Sequence, residues 1–180
     1  MAMIPSPHRK RRMKMIKIED SIKQIRSNTR VALPSDDGYI FQLGVALYGF
    51  AYVANFMTEV CQYLDPANPT IRGDLQAKEA GKILDGFRQA AKKVKSTHPN
   101  AYSESQFAAS LFENLNTRRS DIIHSYPITN SASEQTLWRT HSVKNKNFEV
   151  TIKFLDTFIA DLEKTVDKLY AVRKIMGPNL

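Results

Sequence analysis

The sequence predicts an all-α protein, four long helices in an up-and-down bundle behind a basic, mobile N-terminal arm. Three observations carry that expectation. Apolar residues recur at helical spacing through four long segments. Only 7 Gly and 8 Pro punctuate 180 residues, too few turn signals for a many-stranded barrel or sandwich. A single Cys excludes an internal disulfide and a cysteine-based zinc site, which suits a reducing, cytoplasmic setting. With 42% apolar and 24% charged residues, the chain is globular in composition and long enough for one sizeable core.

The division expected is an arm over residues 1–30 and a helical domain over 31–180. Residues 1–30 hold nine Lys and Arg against Glu19 and Asp20, whereas the remainder is nearly neutral. Arg9, Lys10, Arg11, Arg12 and Lys14, behind Pro5 and Pro7, mark a segment that attracts polyanions such as RNA, DNA or anionic lipid. The same residues also suit a solvated leader without a specific role.

The first helical segment runs from Asp36 to Leu64, between Pro34 and Pro66. Ile40, Leu43, Leu47, Phe50, Ala54, Met57 and Cys61 form one stripe, and Phe41, Val45, Tyr48 and Tyr52 form a second. A helix apolar on two faces needs two neighbours, either in the middle of a bundle or between the core and another subunit. Residues 38–58 carry no charge and approach a membrane span in length, but Gln42, Asn55 and three Gly dilute them. The expectation is therefore a core or interface helix of a soluble protein, with no membrane partner.

The second segment spans Arg72 to Ser96, with Leu75, Ile83, Leu84, Phe87, Ala91 and Val94 on one face and lysines concentrated in its last turns. In the third, Ser103 and Gln106 have capping-box spacing, and Phe107, Leu111, Leu115 and Ile122 continue to His124, before Pro127. Ser103 is the expected N-cap. Residues 126–145 read as a polar connection longer than a bundle requires. Trp138, Arg139 and His141 within it have the interleaving that stacks bases and holds phosphates, although such a Trp more often packs its loop onto the bundle. The last segment, Phe148 to Met176, steps three and four through Ile152, Leu155, Ile159, Leu162, Val166, Leu169, Val172 and Ile175.

Most enzyme signatures are missing: no Gly-rich phosphate loop, no paired-histidine zinc helix, no calcium loop and no nucleophile elbow. His8, His98, His124 and His141 lack metal-ligand spacing, and Cys61 within an apolar helix reads as core. The expectation is no metal and no cofactor. Chemistry-bearing residue types concentrate at the end of the third helix, in Thr117, Arg118, Arg119, Ser120, Asp121, His124 and Tyr126.

In this stretch the chain resembles the HEPN superfamily, whose hallmark is an Arg followed after a short interval by His, commonly with a small polar residue directly after the Arg. Arg119, Ser120 and His124 supply the pattern, with Ser120 where the commonest form has Asn, and Arg118 offers a register one residue longer. The plan of long helices, with the motif late in the third, extends the resemblance over residues 36–176. On an ideal helix Arg119 and His124 stand about 140° apart, so one helix alone does not aim both at one point. Two copies meeting at these helix ends would form one composite cleft.

The resemblance implies metal-independent cleavage of RNA in a homodimer, by a toxin or antiphage defence effector with a possible antitoxin or regulatory partner. Arg119 and His124 would be its catalytic residues. A guanidinium holds phosphate oxygens in pairs, and an imidazole exchanges protons near neutral pH. Ser120, Asp121 and Tyr126 would support them, and Arg118 and Arg139 would join the arm in binding nucleic acid. The alternatives are a catalytically inactive dimeric RNA-binding or protein-interaction module, and an ordinary helix end where Arg119 pairs with Asp121 or Glu113.

Overall fold

The computed structural model describes residues 18–141 and 146–177. Its described residues form six helices and one small three-stranded sheet, so the fold is mostly helical but not purely so. The chain divides into two compact units, Met1–Leu33 and Pro34–Leu180.

In the first unit, α1 (Ile18–Asn28) carries Glu19 and Asp20 in its first turn and Arg26 in its last, charges that favour the helix dipole at both ends. The expected mobile arm is therefore helical over these residues. Arg9, Lys10, Arg11, Arg12 and Lys14 lie outside the described residues.

The second unit opens with α2 (Asp37–Leu64), where Asp36 is the N-cap and its carboxylate accepts from the Gly38 N–H at 2.7 Å. One side of α2 buries Tyr39, Ala46, Phe50, Val53, Met57 and Leu64. The second apolar stripe stays uncovered: Phe41 is 73% exposed, Tyr48 78% and Tyr52 46%. Among the described residues α2 is the one helix long and apolar enough to cross a membrane, yet it also supplies a large part of the core.

The expected second helix is broken into α3 (Ile71–Gln76) and α4 (Ala80–Lys93). Its cause is a close approach. A Cβ on Gly86 would stand 2.5 Å from Leu75 Cδ2, so α3 folds back onto α4 at the point where α4 has no side chain.

Helix α5 (Pro99–Ile123) starts earlier than the Ser103 cap predicted, with His98 as N-cap and Pro99 in its first turn. Its buried face is Ala101, Ser105, Ala108, Ala109, Phe112, Leu115 and Ile122, while Phe107 is 57% exposed. Small residues at 108 and 109 let neighbouring helices come close, and Phe112 stacks on Phe50 with centroids 5.2 Å apart.

The connection expected to be an irregular loop is mostly sheet: β1 (Tyr126–Thr129), β2 (Gln135–His141) and β3 (Lys146–Val150), an antiparallel meander in that order. Asn130 closes the first turn by accepting from the Ala132 and Glu134 N–H groups, with Ser133 at φ 62°. Alternation decides which way the side chains face. Leu137, Phe148 and Val150 turn to the core, and the Tyr39 hydroxyl donates to the Val150 carbonyl while accepting from the Leu137 N–H.

The final helix, α6 (Ile152–Met176), begins at Thr151, whose hydroxyl caps the Phe154 N–H. It buries Leu155, Phe158, Leu162, Thr165, Leu169 and Val172. Gly49 lets α2 and α6 approach, since a Cβ there would sit 2.7 Å from Leu162 Cδ1. Helix α2 packs on α3, α4 and α6, and α5 packs on α4 and α6. Phe87, Phe112, Phe158, Met57, Leu115 and Leu169, from α2, α4, α5 and α6, are among the largest fully buried side chains.

Candidate active site

Arg118, Arg119 and Asp121 crowd the last two turns of α5, with His124 just beyond as its C-cap, and helical geometry sends them in different directions. Arg118 turns to α6. Its guanidinium donates to Asp161 Oδ2 at 2.8 Å and to the Phe154 carbonyl at 3.0 Å, over the rings of Phe154 and Phe158. Only 16% of its side chain is exposed, and 18% of its partner's. Arg118 is thus a fastener between α5 and α6, not a free phosphate ligand.

Asp121 turns to the sheet, where Arg139 Nε donates to its Oδ1 at 3.1 Å. Arg139 Nη1 also donates to the carbonyls of His124 and Thr140, so this side chain ties β2 to the end of α5. Its Nε and Nη1 are thus engaged within the chain, in an anchoring role beside the nucleic-acid role expected of Arg139.

Arg119 points elsewhere. Its guanidinium lies 5.6 Å from the Phe50 ring centroid and lines a cleft of about 600 Å³ between α2, α3, α4 and α5. It makes no ion pair with Asp121 or Glu113: Arg139 takes the first, and Arg88 takes the second at 2.7 Å. The Arg88 guanidinium also holds the Glu113 carboxyl below its usual range.

His124 is the C-cap of α5, with its N–H bonded to the Ser120 carbonyl and its ring exposed. It does not line the Arg119 cleft. Within one chain the structure therefore keeps the two candidate catalytic side chains on separate surfaces. Ser120 is half-buried between them, and Ser125 closes the helix end by donating to the Asp121 carbonyl at 2.7 Å.

Two residues after His124 the chain enters β1. Tyr126 pairs with Trp138 across the strands, and Trp138 with Glu149. These residues occupy the sheet face opposite Leu137 and Val150, with Tyr126 49% exposed and its hydroxyl 3.2 Å from that of Thr140. Trp138 is half-buried yet takes no part in the core cluster, contrary to the expectation that it packs the connection onto the helices.

Burial pushes the Cys61 thiol up to about 12, which leaves it without thiolate near neutral pH. Among the described residues no group of three or more His, Cys, Asp or Glu is placed to hold a metal ion. The cleft residues that sequence reasoning missed are Asn55, Gln76, Lys78 and Asn116. They come from α2, α3, the α3–α4 break and α5, and no spacing in the sequence links them.

No family model, curated protein or solved structure matches this chain. The resemblance to the HEPN superfamily thus stands on Arg119, Ser120, His124 and the helical plan alone.

Proposed function

We propose that this chain is a metal-independent endoribonuclease of the HEPN type, with four long helices as its bundle, acting as a cytoplasmic homodimer in the role of a toxin or defence effector. One observation carries the reading. At the end of α5 the structural ion pairs consume Arg118 and Asp121, whereas the Arg119 guanidinium and the His124 imidazole make no hydrogen bond or ion pair among the described residues. A guanidinium and an imidazole left unengaged at one helix end are the two groups that RNA transesterification needs.

In the proposed reaction the ribose 2′-oxygen attacks the adjacent phosphorus as an imidazole takes its proton. The bond from phosphorus to the 5′-oxygen breaks, and the leaving oxygen takes a proton from an imidazolium. The products are a 2′,3′-cyclic phosphate and a 5′-hydroxyl. Arg119 stays protonated and holds the phosphate oxygens as negative charge grows. A two-fold axis near the α5 ends brings Arg119 of one chain toward His124 of the other and supplies two imidazoles, one as base and one as acid. The uncovered stripe of Phe41, Tyr48 and Tyr52 on α2 offers apolar area for that pairing. Tyr126, two residues after His124, and its cross-strand partner Trp138 offer ring surface for flanking bases.

The test is cleavage of RNA by the full chain in EDTA. Fragments ending in cyclic phosphate are expected, with loss of cleavage in His124→Ala and Arg119→Ala. Equal cleavage by wild type and variants would overturn the assignment. Salt-sensitive RNA binding without cleavage, weakened by deleting residues 1–17, would leave a silent RNA-binding module.

A further inference from the structure

The cleft that holds the Arg119 guanidinium is built for more than a phosphate. Arg88, Arg118, Arg139 and Arg173 each face a carboxylate, whereas Arg119, half-buried against Phe50, faces none within ion-pairing distance. A partly desolvated cation without a counter-charge favours a ligand that brings one. Lys78 adds a second positive charge at the rim, and Glu79 beside it subtracts one, so the lining is cationic overall.

Another part of the lining is neutral and polar. Gln76 Nε2 donates to Asn55 Oδ1 at 2.6 Å, which joins the end of α3 to α2. That bond leaves the Asn55 amide with donors to spare and the Gln76 amide with its carbonyl oxygen as an acceptor, on two residues joined to each other. A donor next to an acceptor is the complement of a nucleobase edge. Ala51 and Ala54 add apolar surface to the lining, and Asn116 sits one turn before Arg119. At about 600 Å³ the space falls in the range of small-ligand sites, ample for one nucleotide.

We propose that this cleft is a nucleotide subsite: Arg119 and Lys78 take the phosphate, Ala51 and Ala54 take the face of the base, and Asn55 and Gln76 read its edge. The assignment of the nucleotide to an RNA chain, next to the bond that is cut, rests on the ribonuclease reading. The pocket chemistry itself does not.

Calorimetric titration of the full chain with the four nucleoside 3′-monophosphates and with inorganic phosphate tests it. One nucleotide should bind at least about tenfold tighter than phosphate alone, a difference near 1.4 kcal/mol. Arg119→Ala should weaken that nucleotide about tenfold or more, while Asn55→Asp, which replaces a donor with an acceptor, should change which base is preferred. Both side chains lie at the surface of the cleft, and circular dichroism of each variant separates lost binding from lost folding. Nucleotides that bind no tighter than phosphate, or that ignore Arg119→Ala, would overturn the subsite even if RNA is still cleaved. Arg119-dependent nucleotide binding without RNA cleavage would support the pocket and remove only the ribonuclease reading.

Discussion

Replacing each of the two adjacent arginines by Met separates a fastener from a working group. Arg118→Met leaves Asp161 facing α5 without its main partner. Breaking a fully buried pair costs about 3–5 kcal/mol. Here 16% and 18% of the two side chains remain exposed, and Lys164 Nζ still lies 2.9 Å from Asp161 Oδ1. That lowers the ion-pair loss to about 1–2 kcal/mol. The lost bond to the Phe154 carbonyl adds about 1 kcal/mol, and the contacts over Phe154 and Phe158 add about 0.5 kcal/mol or more. The total is about 3 kcal/mol, which for a chain of this size lowers Tm by about 6–12 °C. Arg119→Met loses only its contact over Phe50, about 0.5–1 kcal/mol, or a few degrees. Thermal denaturation followed by circular dichroism measures both, and RNA cleavage well below Tm measures function. The expected pattern is crossed: Arg118→Met unstable but active, Arg119→Met stable but inactive. Equal stability of the two variants, or activity that survives only in Arg119→Met, would refute the division of roles.

A carboxyl NMR titration should find Glu113 below the ordinary glutamate value of about 4.3, because Arg88 holds it there. Its share of stability is present above the unfolded-chain value and is lost as pH falls through the lower folded one. Arg88→Gln should return Glu113 toward the ordinary value, and an unmoved titration would exonerate Arg88. The double substitution Phe41→Glu with Tyr48→Glu should convert a dimer into a monomer in sedimentation with little change in Tm, since both side chains are exposed. A wild-type chain that sediments as a monomer would count against the composite site. Because Trp138 is the one tryptophan of the chain, its emission reports on the outer sheet face. Single-stranded RNA added to His124→Ala should quench it, and Tyr126→Ala should weaken binding by about 1–3 kcal/mol; unchanged emission at saturating RNA would remove the stacking role.

The helices were legible where large apolar residues recur and proline or capping residues bound them. Helix α2 follows the predicted limits to within a residue, and α5 ends at Ile123 with His124 as its C-cap, one residue from the predicted end before Pro127. The departures have specific causes. The α3–α4 break depends on Leu75 meeting Gly86, a tertiary contact that leaves the helical period of either piece intact. The start of α5 differs because Ser103 and Gln106 imitate a cap inside a helix whose first buried positions are Ala101, Ser105, Ala108 and Ala109. The sheet was missed because its strands are short and polar, and strand alternation over four to seven residues competes with many turn-forming ones.

The candidate site was legible as a list of residues and not as an arrangement. Arg118 and Arg119 are chemically identical neighbours, and a step of about 100° along the helix decides that one is sealed against α6 while the other opens into a cleft. Asp121 and Arg139 carry opposite charges that the sequence separates and the β2 strand reunites, which removes both from the set of free groups. Among the described residues, the Arg119 guanidinium and the His124 imidazole at this helix end make no hydrogen bond or ion pair. The same helical step that spares Arg119 also carries it away from His124. In the proposed dimer a second chain would bring the other group of the pair, and the uncovered apolar stripe of α2 would give contact area for it.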